Sequence, residues 1–219
     1  MKLQPLTDQR LMPQQALFPD GSGEVVASYV GTEFPAYVRV LNPPFVRSTI
    51  RAEPVRTTWA EIARRRGLSL TPETQWVDLE NDDDQLVFEP DMGTLERTTA
   101  EALASVLFHH TATPEECIFA YWVGYASENV PKDAMRFLVP PGREMYLMTG
   151  DVRLLARSSE ERLPMRWWPR DGAWAVGNDI YARSAFVGGS VAAIEDVLRC
   201  PTLECIVVDQ NTQVTPEDL

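Results

Sequence analysis

Two lysines, Lys2 and Lys132, and one adjacent histidine pair, His109-His110, are all that the 219 residues hold of those types. Three cysteines, Cys117, Cys200 and Cys205, are too few and odd in number for a disulfide framework, and thiols this sparse settle in cores as small apolar groups. No run approaches the roughly 18–20 uninterrupted apolar residues of a membrane helix. Residues 1–20 carry a single lysine and no apolar export segment, which points to the cytoplasm. With no Gly-x-Ser-x-Gly elbow and no histidine outside that pair, a serine triad lacks its base. Gly188-Gly189-Ser190 lacks the lysine of a P-loop and the spacing of a dinucleotide fingerprint, and a tight strand-to-helix turn accounts for it. No catalytic residue, cofactor or metal site is expected.

Acid is what the chain has in excess: 32 acidic against 20 basic residues give a formal charge of −12. Such a field repels a phosphate backbone and suits a basic protein partner or a metal cation. Eighteen of the 20 basic residues are arginine, the codon bias of a GC-rich genome. A hydrophobic content of 44% is ample for one core or for two small lobes sharing an interface.

Neither an internal repeat nor a Gly/Ser linker interrupts the chain. Residues 1–23, with Pro5, Pro13, Pro19 and the turn Asp20-Gly21-Ser22-Gly23, read as an irregular arm; residues 24–219 read as one globular unit with a lobe boundary near 90–94. Glu24–Tyr29 and Ala36–Leu41 are β-rich, the second ended by Asn42-Pro43-Pro44. Thr58-Trp59-Ala60-Glu61 has capping-box spacing and opens a short helix that Gly67 stops. Over Thr94–His110, Leu95, Ala102, Leu103, Val106 and Leu107 recur at helical spacing, so this helix packs on a sheet. Thr113-Pro114-Glu115-Glu116 is a candidate N-cap, followed by a buried strand over Ile118–Tyr125. Further strands are expected at Arg136–Val139, Glu144–Met148, Ala173–Val176, Ser184–Val187 and Cys205–Val208, with a helix presenting Val191, Ile194 and Leu198 before the last. The predicted fold class is α+β, a mixed, mainly antiparallel sheet with a few packed helices.

Phe34-Pro35-Ala36-Tyr37-Val38-Arg39-Val40-Leu41-Asn42-Pro43, Thr58–Ala63, and the stretch from His110-Thr111-Ala112-Thr113-Pro114 to Trp122-Val123-Gly124 form one set of segments. Together with Trp167-Trp168-Pro169, Trp174 and Phe186–Ser190, the set resembles a family of uncharacterised actinobacterial cytoplasmic proteins with no established activity. The resemblance covers most of residues 34–208. It implies co-linear organisation and a bacterial source, and it transfers no catalytic residues.

Asp82, Asp83 and Asp84 sit in the densest charge run, within residues 71–101 that hold ten acids against Arg97. EF-hand spacing is absent, so the run suits a surface for a basic partner better than a cation site. Residues 39–66 are the reverse, seven arginines against Glu53 and Glu61, and Arg64-Arg65-Arg66 complement a helix dipole. His109, His110 and Cys117 do not converge as zinc ligands do, because adjacent helical residues diverge by about 100°. Cys200 and Cys205 lack redox spacing. Trp167, Trp168 and Trp174 lie within eight residues, beside Arg166, Arg170 and Asp171. Such a cluster is either core or a recognition hot spot. With the three aspartates it forms the candidate partner-binding set. The functional expectation is a non-enzymatic protein-binding protein of immunity, antitoxin or regulatory adaptor type; the alternative is an enzyme or small-ligand binder built from dispersed carboxylates and arginines.

Overall fold

The computed structural model describes residues 2–8, 25–81, 86–125, 130–139, 142–157 and 162–214. Its main sheet has nine strands. Their order is β1 (Gln4–Pro5), β8 (Arg143–Gly150), β6 (Cys117–Trp122), β9 (Arg166–Pro169), β10 (Trp174–Gly177), β11 (Ser184–Gly189), β2 (Ala36–Leu41) and β12 (Glu204–Val208). The ninth, β7 (Arg136–Val139), pairs with β8 alongside β1. A small second sheet joins β4 (Val55–Arg56), β3 (Phe45–Val46) and β5 (Val87–Phe88). Four helices complete the α+β fold: α1 (Ala27–Val30), α2 (Trp59–Arg65), α3 (Arg97–Leu107) and α4 (Val191–Arg199). The strand pairings described above are antiparallel, as a mainly antiparallel sheet requires.

Strand alternation sorts the core into two layers. Val38, Val40, Phe119, Trp167, Trp174 and Val187 face α3 and α4, where they meet Leu103, Leu107, Ile194 and Val197. Tyr37, Ile118, Ala120, Trp168, Ala175 and Phe186 face the other way and meet Tyr29 and Val30 of α1. A third cluster, Leu41 with Trp59, Ile62, Ala63, Trp76 and Leu79, forms under α2 and the 3-10 turn Trp76–Leu79. Arg39 ties it to the sheet, donating to Ser184 Oγ at 2.9 Å, Pro72 O at 3.1 Å, Thr74 O at 2.7 Å and Gln75 Oε1 at 3.1 Å. Asn42 secures the approach to α3 by donating to Asp91 O and Thr94 O and accepting from Glu96 N.

The helix ends follow their sequence signals. Thr58 Oγ1 accepts the Glu61 amide at the start of α2, and Gly67 (φ 69°) ends it with Leu68 N bonded to Ala63 O at 2.8 Å and Gly67 N to Arg64 O at 3.3 Å. That is a Schellman closure. The Glu96 side chain caps α3 through Thr99 N, and Ser190 Oγ caps α4 through Ala193 N.

Several expectations are corrected. Residues 25–29 are not a strand: Val25 makes one bridge to Gln213, and Ala27–Val30 turns into α1. The arm is not wholly irregular, since Gln4–Pro5 extends the sheet; residues 9–24 lie outside the described residues. Thr113–Glu116 closes a single turn, with Glu116 N on Thr113 O, and leads into β6 without a helix. The buried side of α4 is Ala193, Ile194 and Val197, while Val191 and Leu198 are exposed. Gly188 and Gly189 belong to β11, and a Cβ on Gly188 would run into the Phe34 ring.

Candidate functional site

The partner-binding tryptophans are corrected first. Trp167, Trp168 and Trp174 are at most 2% exposed, lying in the two core layers, and the Trp174 indole donates to Leu107 O at 3.0 Å. Rings so enclosed anchor the fold and offer no contact surface. Asp82, Asp83 and Asp84 lie outside the described residues.

An unforeseen arrangement stands where β6, β8 and the β10–β11 connection meet. Arg143, first residue of β8, grips Asp179 through both carboxylate oxygens, Nε to Oδ2 at 2.9 Å and an NH2 group to Oδ1 at 3.0 Å. Its guanidinium lies over the Trp122 ring at 5.6 Å and the Tyr181 ring at 5.5 Å. Trp122 meets Tyr125 edge to face at 4.9 Å, and Arg162 covers the Tyr125 ring at 4.8 Å. The result is a continuous stripe of rings and guanidinia: Tyr181, Arg143, Trp122, Tyr125, Arg162. Tyr181 and Arg162 are exposed, and Trp122, Tyr125 and Arg143 are half-buried.

Local geometry holds each member. Tyr181 N bonds Asp179 Oδ1 at 3.2 Å, so one carboxylate sets both the arginine and the ring above it. The Tyr125 hydroxyl donates to Gly93 O at 3.2 Å, and Arg162 donates to Met92 O at 2.6 Å. Gly93 has φ 75°, and a Cβ there would overlap the Tyr125 hydroxyl and the Ile180 carbonyl. Only glycine fits that crossing. Beneath the stripe Arg166 is fully buried, donating to Ser28 O at 2.7 Å and Tyr29 O at 3.0 Å with the Tyr29 ring 5.0 Å away.

Electrostatics follow from this burial. Desolvation pulls the Arg166 guanidinium down to about 10 and pushes the Tyr29 phenol up to about 12. Tyr125 is also raised by desolvation, so both phenols stay protonated at neutral pH. Desolvation works against the Arg143 charge, and the Asp179 bonds outweigh it, leaving the guanidinium raised. Asp179, engaged through both oxygens, is committed to its arginine.

The remaining sequence candidates are accounted for as structure. His110 Nε2 meets Asp196 Oδ2 at 3.0 Å, and Cys117 is buried with its thiol pushed up to about 12 by burial first and then by Asp151 and Asp171. Among the described residues no three His, Cys, Asp or Glu side chains gather to hold a metal ion. Glu204, whose carboxyl burial raises, accepts the Trp59 and Ala60 amides at 2.7 and 2.8 Å and so caps α2 from β12. Arg64 and Arg65 pair with Glu61 within α2. Cys200 and Cys205 are free thiols.

The tryptophans cluster in sequence, whereas the stripe gathers residues 122, 125, 143, 162 and 181 from four separate stretches. The one local hint was Asn178-Asp179-Ile180-Tyr181, a polar connection carrying an aromatic. No helix among the described residues is long and apolar enough to cross a membrane. No family model, curated protein or solved structure matches this chain.

Proposed function

We propose that this chain is a non-enzymatic protein-binding protein that contacts its partner through the stripe of Tyr181, Arg143, Trp122, Tyr125 and Arg162. The observation that carries the reading is the stacked row of three rings and two guanidinia, accessible in part to solvent and already locked together. Tryptophan, tyrosine and arginine supply most of the energy at interfaces because each buries a large, rigid, partly apolar area while keeping a donor. Side chains held in place before contact lose less rotamer entropy on binding.

Charge selects the partner at longer range. A net charge of −12 favours approach of a basic protein, which the rings then hold. An immunity, antitoxin or adaptor role belongs to this class, and the actinobacterial resemblance is compatible with it. Asp179 spent on Arg143, and phenols kept protonated, support recognition over acid–base chemistry.

Affinity capture from an actinobacterial cytoplasm with wild-type and Tyr181→Ala/Trp122→Ala baits tests this. A basic protein retained by the wild type and lost from the variant is expected. Equal retention on both baits rejects the stripe, and a small-molecule turnover that survives in the variant rejects the binding reading.

A further inference from the structure

Several polar ends of the stripe are engaged within the fold. Arg143 places two N–H groups on Asp179, Tyr125 donates its hydroxyl to Gly93 O, and Arg162 donates to Met92 O. What remains for a partner is flat: ring faces and guanidinium planes, with Tyr181 39% exposed at one end and Arg162 exposed at the other.

Hydrogen-bonding capacity along the stripe is one-sided. Arg143, Arg162 and the Trp122 indole can only donate, and each tyrosine carries an O–H. Asp179 is buried with both oxygens on Arg143, and Asp91, exposed near the Arg162 end, is already faced by Arg162 and Arg183. An ordinary extended segment brings an N–H with every carbonyl, and an N–H pressed against donors loses its water without replacement. Proline brings a carbonyl and no N–H. In a polyproline II segment those carbonyls are free of internal bonds, and such segments dock on aromatic-lined surfaces. Spacing agrees. The Tyr181 and Trp122 rings, 5.5 and 5.6 Å from one guanidinium, stand within about 11 Å of each other, and a polyproline II face repeats every third residue, roughly 9 Å along its axis.

On the reading that the stripe is the contact surface, we infer that it takes a proline-rich segment in the polyproline II conformation, carried by the basic partner and flanked by Arg or Lys. Prolines three apart stack on Tyr181 and Trp122, their carbonyls accept from the Trp122 indole and the guanidinia, and the basic flanks answer the net charge of −12. Because such a segment is already extended in solution, it loses little conformational freedom on docking.

Fluorescence anisotropy of the whole chain with two labelled synthetic peptides tests this: one of about ten prolines with arginine flanks, the other a Gly-Ser repeat of equal length and flanks, so that charge is matched. Wild type is expected to bind the proline peptide about tenfold tighter than the Gly-Ser peptide. Tyr181→Ala, which removes an exposed ring, should abolish most of that preference, and Trp122→Phe, which keeps a ring and removes the indole donor, should reduce it. A wild type that binds both peptides equally, or neither, overturns the inference, as does an unchanged preference in either variant. If that happens while a basic protein is still captured by wild type and lost from the Tyr181→Ala/Trp122→Ala bait, the proline-rich class falls and the stripe stands; equal retention on those two baits removes the stripe itself.

Discussion

Arg166 anchors the sheet to α1. It is fully buried, and its NH1 group serves the Ser28 and Tyr29 carbonyls at the end of that helix. Replacing it with Ala removes the donor and leaves a cavity, so Arg166→Ala is expected to cost about 2–4 kcal/mol in denaturant unfolding. A loss under about 0.5 kcal/mol, the range of ordinary surface changes, would show that these carbonyls find other partners. Cys117 gives a second residue-scale test. Burial pushes its thiol up to about 12, so the thiol stays protonated and unreactive at neutral pH. Alkylation followed by mass spectrometry should leave Cys117 unmodified until denaturant is added; rapid modification of the native protein would contradict its placement. Trp167 and Trp168 show why residue roles were hard to read. Adjacent strand residues point to opposite faces, and both rings are buried because helices α3 and α4 cover one face and α1 the other. Nothing within Arg166–Asp171 records that second cover.

At the scale of elements, patterns that are local and periodic were legible. The Ala36–Leu41 strand matches the expected bounds, α2 starts at its Thr58 cap, and α3 buries Leu103 and Leu107 as their four-residue spacing requires. Leu103→Ala should therefore cost about 2–5 kcal/mol by denaturant unfolding, since the side chain is fully enclosed between α3 and the sheet. A loss under about 0.5 kcal/mol would mean that α3 is not seated there. Segments that tertiary contacts decide were not legible. Val25–Tyr29 is β-branched and aromatic enough for a strand, yet Ala27–Val30 is helical because its carbonyls meet Arg166 and lie against Gly177, where a Cβ would overlap Tyr29 O. β9 was missed for a related reason: Arg166-Trp167-Trp168-Pro169 lacks polar alternation, and it is buried on both faces.

For the whole molecule, the fold class followed from short strands punctuated by turns, whereas the stripe depends on which strands become neighbours. β6 lies between β8 and β9, so Trp122 meets Arg143 across one pairing and Arg162 approaches across the other. No spacing along the chain encodes that convergence. Long-range charge has a separate signature. As salt rises from 0.1 to 1 M the Debye length contracts from about 10 Å to about 3 Å, so association with a basic partner should slow while dissociation changes little. Stopped-flow association at increasing salt checks this, and a rate indifferent to salt would remove steering from the account. Hydrogen exchange of the free protein and of its complex with the captured partner tests the central claim most directly, because it locates the contact without substitution. Slowed exchange around residues 119–125 and 178–183, with 97–107 unchanged, is the result the account predicts; protection confined to any other surface, with those two stretches exchanging as in the free protein, would contradict it.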